Sequence, residues 1–578
     1  MYIMKKIFRI ATLVVAVALV SVSCELAELD YENPNQVTPD QANLNDLYNS
    51  VQQEFVEFYE DYWFESASIV RMVAATGGFT YFNNFGPEGF SNGWTTSYAE
   101  FLPDARAVIE NATARNLPIH SGTAKIMEAM VIMSLVDMFG DVPYSEALQG
   151  IEVISPTADN GADVYAAAEA LLDDAIAELE GAGGAAAPAN DLFYNGDPDS
   201  WITLAKTIKL RNAVTTRLID PNAATSTINA LVSEGDLIDE EGEDFTFPYG
   251  TNQLNPNSRH PFYNNAYEAA DGTYMSTYYM WLLRAEKEDA DGNTLVDPRI
   301  RFYFYRQTDG PSDNVNDYSC FFSELPDQAF KPSHYTAVDP DLPYCLPSED
   351  GYWGRDHLNN EGIPPDGFLR SVYGLYPGGG KFDDNSFIST QNNGVDGAQG
   401  EGIQPFMLAS FVDFLRAEAA LTLGTNDDAR ALLESGIRKS MEKVLGFAEL
   451  VDLSQVVGQD LDGNDVTAEQ AYLPTDDDVQ EYVDYVLAEY DAADADGKLD
   501  IVVKEYFIAL WGNGIEAYNL YRRTGKPNNM MPSLEPSPGE FIRSHFYPAN
   551  YVNLNSNATQ KNNLTERVFW DDGSADLY

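Results

Sequence analysis

Basic residues are scarce in this chain of 578 residues, which has 34 lysines and arginines against 91 aspartates and glutamates and a net charge of −57. Proteins that bind nucleic acids hold the phosphate backbone with clusters of lysine and arginine. Attachment of a protein surface to anionic lipid needs the same residues. The composition therefore excludes both kinds of partner as first expectations. A neutral ligand or a cation is electrostatically permitted.

Cysteine is also rare, and the first of the three cysteines, Cys24, ends a segment typical of an export signal. That segment has three basic residues near its start, an apolar run over 10–20 and small residues at 21–23, although Ser21 stands where a lipobox usually has leucine. A cysteine in this place receives lipid in bacterial lipoproteins. The apolar run is about half as long as a membrane-spanning helix needs. We therefore predict a lipoprotein signal peptide over 1–23 and lipidation of Cys24, with a cleaved secretory peptide and an incidental cysteine as the alternative.

The remaining cysteines, Cys320 and Cys345, would then lie in an exported chain, where disulfides form and persist. A disulfide between them would close a loop and stabilise the fold by about 3 kcal/mol. Two buried, reduced thiols are the alternative that the sequence leaves open.

Motifs of the common catalytic classes are missing or incomplete. There is no HExxH motif, the five histidines lack metal-ligand spacing, and the glycines before Lys381 are not followed by the serine or threonine of a P-loop. Residues 89–93 match G-x-S-x-G by letters, but no buried strand precedes them as a nucleophile elbow requires. Segments 460–465 and 494–497 resemble pieces of calcium loops without the closing glutamate. We predict no enzyme, no cofactor and no metal site, and keep a surface glycoside hydrolase only as an unfavoured alternative.

Helical periodicity dominates the chain. The apolar stretch 124–139 contains three charged residues, which predicts a buried core helix rather than a membrane span. Apolar residues recur every three or four positions over 164–179, where Asp163 is the expected N-cap, and again over 201–208 and 408–419. A late helix is expected over 507–518, with Gly525 and Pro527 as stop signals. Paired amphipathic helices joined by short connections predict a mainly α fold of stacked helix pairs.

One long region breaks this pattern. Residues from about 310 to 402 lack a helical period and are dense in glycine, proline, asparagine, aspartate, tyrosine and phenylalanine. A loop of this length inside a compact domain is usually functional or braced by its own contacts. We expect a ligand-facing surface there. No linker is rich enough in proline, glycine or serine to divide the chain, so one domain over 24–578 is expected.

Several segments resemble one known family in the order in which they occur. The most specific are Asp137–Leu148, with the sequence DMFGDVPYSEAL, and Trp511–Tyr518, with the sequence WGNGIEAY. Others are Tyr194–Asp197, Trp201, Ala205–Arg217, Asp297–Arg299, Gly354–His357, Gly362–Asp366, Arg416–Ala419 and Val568–Trp570. Together they resemble the SusD/RagB family of outer-membrane nutrient-binding lipoproteins, and most of all its SusD-like 2 branch. Leu358 stands where relatives usually have glycine.

The resemblance implies an α-helical SusD-like fold with tetratricopeptide-like helix pairs on one side and an irregular, loop-rich, ligand-facing lobe on the other. Members have no catalytic residues, and they sit as a lid on a SusC-like TonB-dependent transporter to capture oligosaccharides at the cell surface. RagB-like members suggest peptide capture as an alternative. Acidic residues cluster in a tether over 24–40. In such relatives, acidic residues directly after the lipidated cysteine accompany transfer to the outer face of the outer membrane.

Sugar capture by such a protein needs aromatic rings that stack on sugar faces and polar side chains that bind the hydroxyls. The sequence offers aromatic candidates in three clusters, the first of which also contains two asparagines, and for each aromatic ring packing in the core is the alternative. The candidates are Tyr81, Phe82, Asn83, Asn84, Trp94, Tyr278, Trp281, Tyr352 and Trp353.

Overall fold

The computed structural model describes residues 43–269, 273–289, 291–310, 331–346, 348, 350–360, 370–390 and 394–578. The predicted signal peptide, Cys24, the acidic tether 24–40, Cys320 and the segment Gly362–Asp366 lie outside these residues. The predictions made for them stay predictions. Residues 44–578 form one compact unit.

Helices carry most of the described structure, which confirms the mainly α prediction. In chain order the α-helices are α1 Leu44–Ile69, α2 Tyr81–Asn84, α3 Ser91–Thr95, α4 Leu102–Ala114, α5 Pro118–Phe139, α6 Gly161–Glu180, α7 Pro198–Thr215, α8 Pro221–Glu234, α9 Pro261–Tyr263, α10 Thr277–Arg284, α11 Ile300–Tyr303, α12 Ser333–Val338, α13 Ala409–Leu423, α14 Ala429–Leu445, α15 Ala468–Tyr472, α16 Asp476–Ala492, α17 Ala495–Ala509, α18 Gly514–Thr524 and α19 Ala549–Leu554. Two π-helical turns span Thr96–Phe101 and Asn264–Glu268, and short 3-10 helices span Gly150–Glu152, Glu241–Glu243 and Gly446–Leu450.

Strands are short and form three antiparallel pairs in the described part of the chain. β1 (Phe245–Pro248) pairs with β4 (Ile403–Met407), and β2 (Phe304–Tyr305) pairs with β3 (Val372–Tyr373). β5 (Val456–Gln459) and β6 (Asp465–Thr467) form an exposed hairpin. The first two pairs join distant parts of the chain.

Consecutive helices pack on each other, as a fold of stacked helix pairs requires. α4, α5, α6 and α7 each contact the next helix along the chain, and α13 contacts α14. This arrangement is compatible with tetratricopeptide-like pairs. α5 lies inside the stack: every residue from Ile119 to Phe139 is buried except Lys125, which pairs with Glu178 of α6 at 3.0 Å. No helix among the described residues is long and apolar enough to span a membrane.

Two predicted helix details are wrong. Asn160, not Asp163, caps α6, because its Oδ1 accepts a hydrogen bond from the backbone N–H of Ala162 at 3.0 Å. The expected late helix is two helices, α17 and α18. It breaks at Gly512, whose φ of 101° is left-handed, and Asn513 then caps α18 by accepting from the N–H of Glu516 at 3.2 Å.

The loop-rich region from about 310 to 402 is irregular where it is described, apart from α12 and β3. Residues 351–359 and 371–380 are buried, so these parts of the region pack inside the protein. Leu358 has a φ of 55°, so the turn after His357 takes a conformation that favours glycine although leucine is present. Cys345 is buried and disulfide-bonded. Its predicted pairing with Cys320 stays a prediction.

Candidate functional site

A groove of about 340 Å³ runs beside Trp94, which is one of the sequence candidates. We call it the Trp94 groove. It is formed by α3 and the π turn after it, the loop 143–156 and α19, and none of its described lining residues carries a charge. These residues are Trp94, Thr95, Tyr98, Ala99, Pro143, Ala147, Leu148, Ile154, Pro156, Asn550, Tyr551, Leu554 and Asn555.

The aromatic wall of the groove is set by the helical run from α3 to α4. Gly93 packs on Tyr62 of α1 so closely that a Cβ there would lie 2.4 Å from the Tyr62 ring. Because Pro103 has no N–H to donate to the preceding turn, the run widens into the π turn Thr96–Phe101 before α4 begins. Trp94 is only 6% exposed and packs against Tyr98 and Tyr551, with ring centroids 4.6 Å away in each case. It therefore supports the wall, and the half-buried rings of Tyr98 and Tyr551 offer the more accessible aromatic surface.

Hydrogen bonds fix the loop that forms the second wall. The carboxylate of Asp159 accepts from the backbone N–H groups of Tyr144 and Ser145, each at 2.8 Å. Burial disfavours the charge of Asp159, but the hydrogen bonds from Ser145 and Tyr144 outweigh it and lower the pKa. Glu146 closes the other side of the loop by accepting from the N–H and the hydroxyl of Thr157 at 2.9 and 2.8 Å, which lowers its pKa.

The third wall of the groove is formed by α19 near the C-terminus. Hydrogen bonds connect the C-terminal segment, the loop 143–156 and the aromatic wall. The hydroxyl of Tyr547 donates to the carbonyl of Asp141 at 2.7 Å, and that of Tyr98 donates to the carbonyl of Pro143 at 2.8 Å. Asn555 Nδ2 donates to the carbonyl of Pro156 at 2.8 Å. The groove is therefore held in shape by contacts between segments that lie about 400 residues apart in the chain.

Phe82 presents a second aromatic surface. Its side chain is 66% exposed, the largest exposure of any aromatic residue among the exposed large hydrophobic residues. It lies on the single turn α2, which Thr80 caps and which buried Tyr81 fixes through a hydrogen bond from Arg71 at 3.1 Å. The ring meets Phe546 edge to face, with the centroids 5.7 Å apart. Asn83 beside it is exposed.

The structure therefore brings Phe82 and Trp94 to one C-terminal segment. Phe546 contacts Phe82, while Tyr547 and Tyr551 contact Trp94. Asn84 lies next to Phe82 but is half-buried, and Tyr81 is buried.

The other four aromatic candidates lie inside the protein. Tyr278, Trp281, Tyr352 and Trp353 are each at most 5% exposed. Tyr278 donates to Asn529 Oδ1 at 3.1 Å, and the Tyr352 ring lies under the Arg306 guanidinium at 4.7 Å. Their ring faces are covered by protein, which favours the core packing that the sequence left open. We do not include them in the proposed site.

Comparison with known proteins identifies the family. A family model described as "Starch-binding associating with outer membrane" (SusD-like_2) matches residues 34–344, which is more than half of the chain. A second, described as "Susd and RagB outer membrane lipoprotein", matches residues 382–570. The chain belongs to the SusD/RagB family. None of the curated proteins matched the chain.

Solved SusD-like structures share its fold. One is described as a chitin-binding protein, with a TM-score of 0.62, 20% identity, and coverage of 92% of this chain and all of that one. A chitin-binding SusD homologue from Flavobacterium johnsoniae has a TM-score of 0.56, 18% identity, and coverage of 92% and 99%. A SusD homologue from Bacteroides fragilis has a TM-score of 0.62, 16% identity, and the same coverage of 92% and 99%. At such identities the likeness concerns the fold.

The SusD-like sequence blocks converge on one buried carboxylate. Asp137 of α5 is fully buried and accepts hydrogen bonds from Arg211 at 3.1 Å, Asn519 Nδ2 at 2.7 Å and Trp570 Nε1 at 2.8 Å. The hydroxyl of Tyr165 donates to it as well. These parts of the blocks therefore hold the SusD-like core together, whereas the end of the first block, Pro143–Leu148, reaches the wall of the Trp94 groove.

Sequence reasoning missed most of the Trp94 groove. The i, i+4 spacing of Trp94 and Tyr98, and of Tyr547 and Tyr551, is a signal that could have linked the rings within each pair. Nothing in the sequence links Tyr551 to Trp94, because the two are more than 450 positions apart. Among the described residues, no group of three or more histidine, cysteine, aspartate or glutamate side chains is placed to hold a metal ion.

Proposed function

We propose that this SusD-family protein is a non-catalytic glycan-binding lipoprotein of the cell surface, which captures an oligosaccharide and delivers it to a SusC-like TonB-dependent transporter. The description of the matched family as starch-binding and associated with the outer membrane supports the ligand class and the location. Two proteins of the same fold are described as chitin-binding, which supports a glycan ligand here.

The observation that carries the proposal is the uncharged aromatic lining of the Trp94 groove. A sugar ring has an apolar face that packs on aromatic rings, and it has no charge that needs a counter-ion. In a chain with a net charge of −57, a groove without charged lining residues selects a neutral ligand. The exposed Phe82 ring, which contacts Phe546, and the exposed Asn83 amide offer a second surface of the same kind next to the C-terminal segment.

The location and the partner rest on the sequence and the family. A lipid on Cys24 would tether the domain through the acidic stretch 24–40, which supports placement on the outer face of the outer membrane. The transporter partner is proposed from family membership, since the structure describes one chain.

Calorimetry of the chain from residue 25 onward against a panel of neutral and acidic polysaccharide fragments tests the ligand class. We expect heat of binding with neutral glycans and none with acidic ones. Absence of binding across the neutral panel would overturn the glycan assignment, and binding of apolar peptides in its place would favour a RagB-like role. Co-purification of a TonB-dependent transporter with the full-length protein from native membranes tests the partner.

A further inference from the structure

Aliphatic side chains at the rim of the Trp94 groove are unusually exposed. Ile154 is 81% exposed, Leu554 is 83% exposed and Leu148 is 40% exposed. All three line the groove together with Pro143, Pro156 and two alanines. A contiguous exposed apolar patch on a soluble protein usually marks a binding surface. Unsubstituted sugars offer hydroxyl groups at the ring edge, and these aliphatic side chains cannot form hydrogen bonds with them.

Polar groups in the groove are few, and most are already engaged. Asn555 donates to Pro156 and accepts from the N–H of Asn557, and the Thr95 hydroxyl donates to the carbonyl of Ser91. Asn550 Oδ1 accepts from the N–H of Tyr551 at 2.8 Å. That contact fixes the amide so that Asn550 Nδ2 remains a donor at the groove, with no acceptor among the described residues.

A donor amide beside an aliphatic rim and an aromatic ring matches one sugar substituent closely. We infer that the Trp94 groove binds a neutral sugar that carries an acetamido group, as in N-acetylglucosamine. The methyl of the acetamido group packs on Leu554, Ile154 and Leu148. Its carbonyl oxygen accepts from Asn550 Nδ2, and the sugar ring packs on Tyr551. This inference deepens the proposed glycan function and rests on it.

The charge and the size of the groove agree with this ligand. Because the described lining residues include no lysine or arginine, they offer no partner to a uronate or a sulfate. Because they include no aspartate or glutamate, they offer none to the free amine of a deacetylated sugar. A volume of about 340 Å³ is near the lower end for ligand pockets, which suits one substituted sugar unit better than a long stretch of chain.

Three oligosaccharide series of the same β-1,4 linkage and length show whether the groove recognises the acetamido group, the sugar ring alone or a free amine. They are oligomers of N-acetylglucosamine, of glucose and of glucosamine, compared by calorimetry with the chain from residue 25 onward in 0.5 M salt. We expect the acetylated series to bind about tenfold more tightly than the glucose series, the size given by one buried methyl group and one hydrogen bond. High salt screens the attraction of cationic glucosamine oligomers to the acidic surface, so weak binding of this series is expected.

Two variants locate the site. Leu554→Asn and Asn550→Ala should each reduce the preference for the acetylated series over the glucose series. Leu554 is exposed and Asn550 is half-buried on α19, and circular dichroism checks that the fold is kept. Leu461→Asn is the matched control, because Leu461 is a fully exposed leucine in the distant β5–β6 turn.

The outcomes are distinguishable. Equal binding of the acetylated and glucose series would overturn the acetamido inference and leave the glycan function standing. No binding of any series would count against the proposed function as well. A preference for the acetylated series that neither variant reduces would overturn the assignment to the Trp94 groove.

Discussion

At the scale of single residues, burial separates two aromatic candidates that the sequence treated alike. Phe82 is 66% exposed and Trp353 is 2% exposed. We expect Phe82→Ala to weaken glycan binding by about 1–3 kcal/mol, the size of base–aromatic stacking, with little change in melting temperature. Trp353→Ala should instead lower the free energy of unfolding by about 3–5 kcal/mol. Calorimetry with thermal melts checks both, and a large loss of stability in Phe82→Ala would assign that ring to the core.

A second residue-scale prediction concerns pH. Burial, together with the nearby carboxylates of Asp104, Glu100 and Glu57, raises the pKa of Glu54 to about 8. In the unfolded chain this pKa is near 4.5. The folded state thus resists ionisation, and the contribution of Glu54 to stability is fully present below pH 4.5 and falls as pH rises toward 8.

We therefore expect Glu54→Gln to raise the melting temperature more at pH 8 than at pH 5. Thermal melts at the two pH values measure this. The difference in melting temperature between variant and wild type at each pH cancels the pH dependence that all other groups contribute. Glu110→Gln, at an exposed glutamate of α4, is the control. A gain that is the same at both pH values would contradict the repulsion among these carboxylates.

At the scale of elements, periodicity located the helices better than it located their ends. The stretch 124–139 became α5, and the stripe over 164–179 became the buried face of α6. The ends depend on single caps. Because Asn160 caps α6 in place of Asp163, the helix begins three residues earlier than predicted, at Gly161. The break at Gly512 depends on tertiary contacts, since Pro377 and Pro405 pack on that glycine.

The approach of α3 to α1 gives a prediction at this scale. Gly93 leaves room for the Tyr62 ring, whereas the nearest atom to a Cβ at Gly89 is 3.5 Å away. We expect Gly93→Ala to push α3 away from α1, at a cost of about 1–3 kcal/mol of stability, and to weaken binding in the Trp94 groove. Gly89→Ala in the same segment is the matched control. Denaturant unfolding and calorimetry measure the two effects, and equal behaviour of the variants would contradict the packing argument.

At the scale of the whole molecule, the binding surface is a product of long-range contacts. Phe82, Asn83 and Trp94 could be chosen from the sequence because they lie in a polar, glycine-containing stretch near one another. Leu148, Ile154 and Tyr551 could not, because only the folded chain brings the loop 143–156 and α19 to Trp94. In the irregular region from 310 to 402, the described aromatic residues are buried except the half-buried Phe387, which favours core packing for Tyr352 and Trp353.

The same long-range organisation is seen at Asp137, a fully buried carboxylate that joins several elements. Its carboxylate joins α5 to α6 through Tyr165, to α7 through Arg211 and to the C-terminal segment through Trp570. Removing one partner from a buried, hydrogen-bonded ion pair leaves the other charge uncompensated. We therefore expect Asp137→Ala to lower the free energy of unfolding by about 3–5 kcal/mol.

Denaturant unfolding followed by fluorescence and by circular dichroism measures this loss. Because Asp137 joins helices α6 and α7 to the C-terminal segment, the two signals should shift together, whereas a local defect would move one before the other. Asp174→Asn is the control: Asp174 is an exposed residue of α6, 3.9 Å from Lys125, and its change should cost little. A small loss in Asp137→Ala would mean that Arg211, which also pairs with Glu516 at 3.0 Å, is held well enough without Asp137.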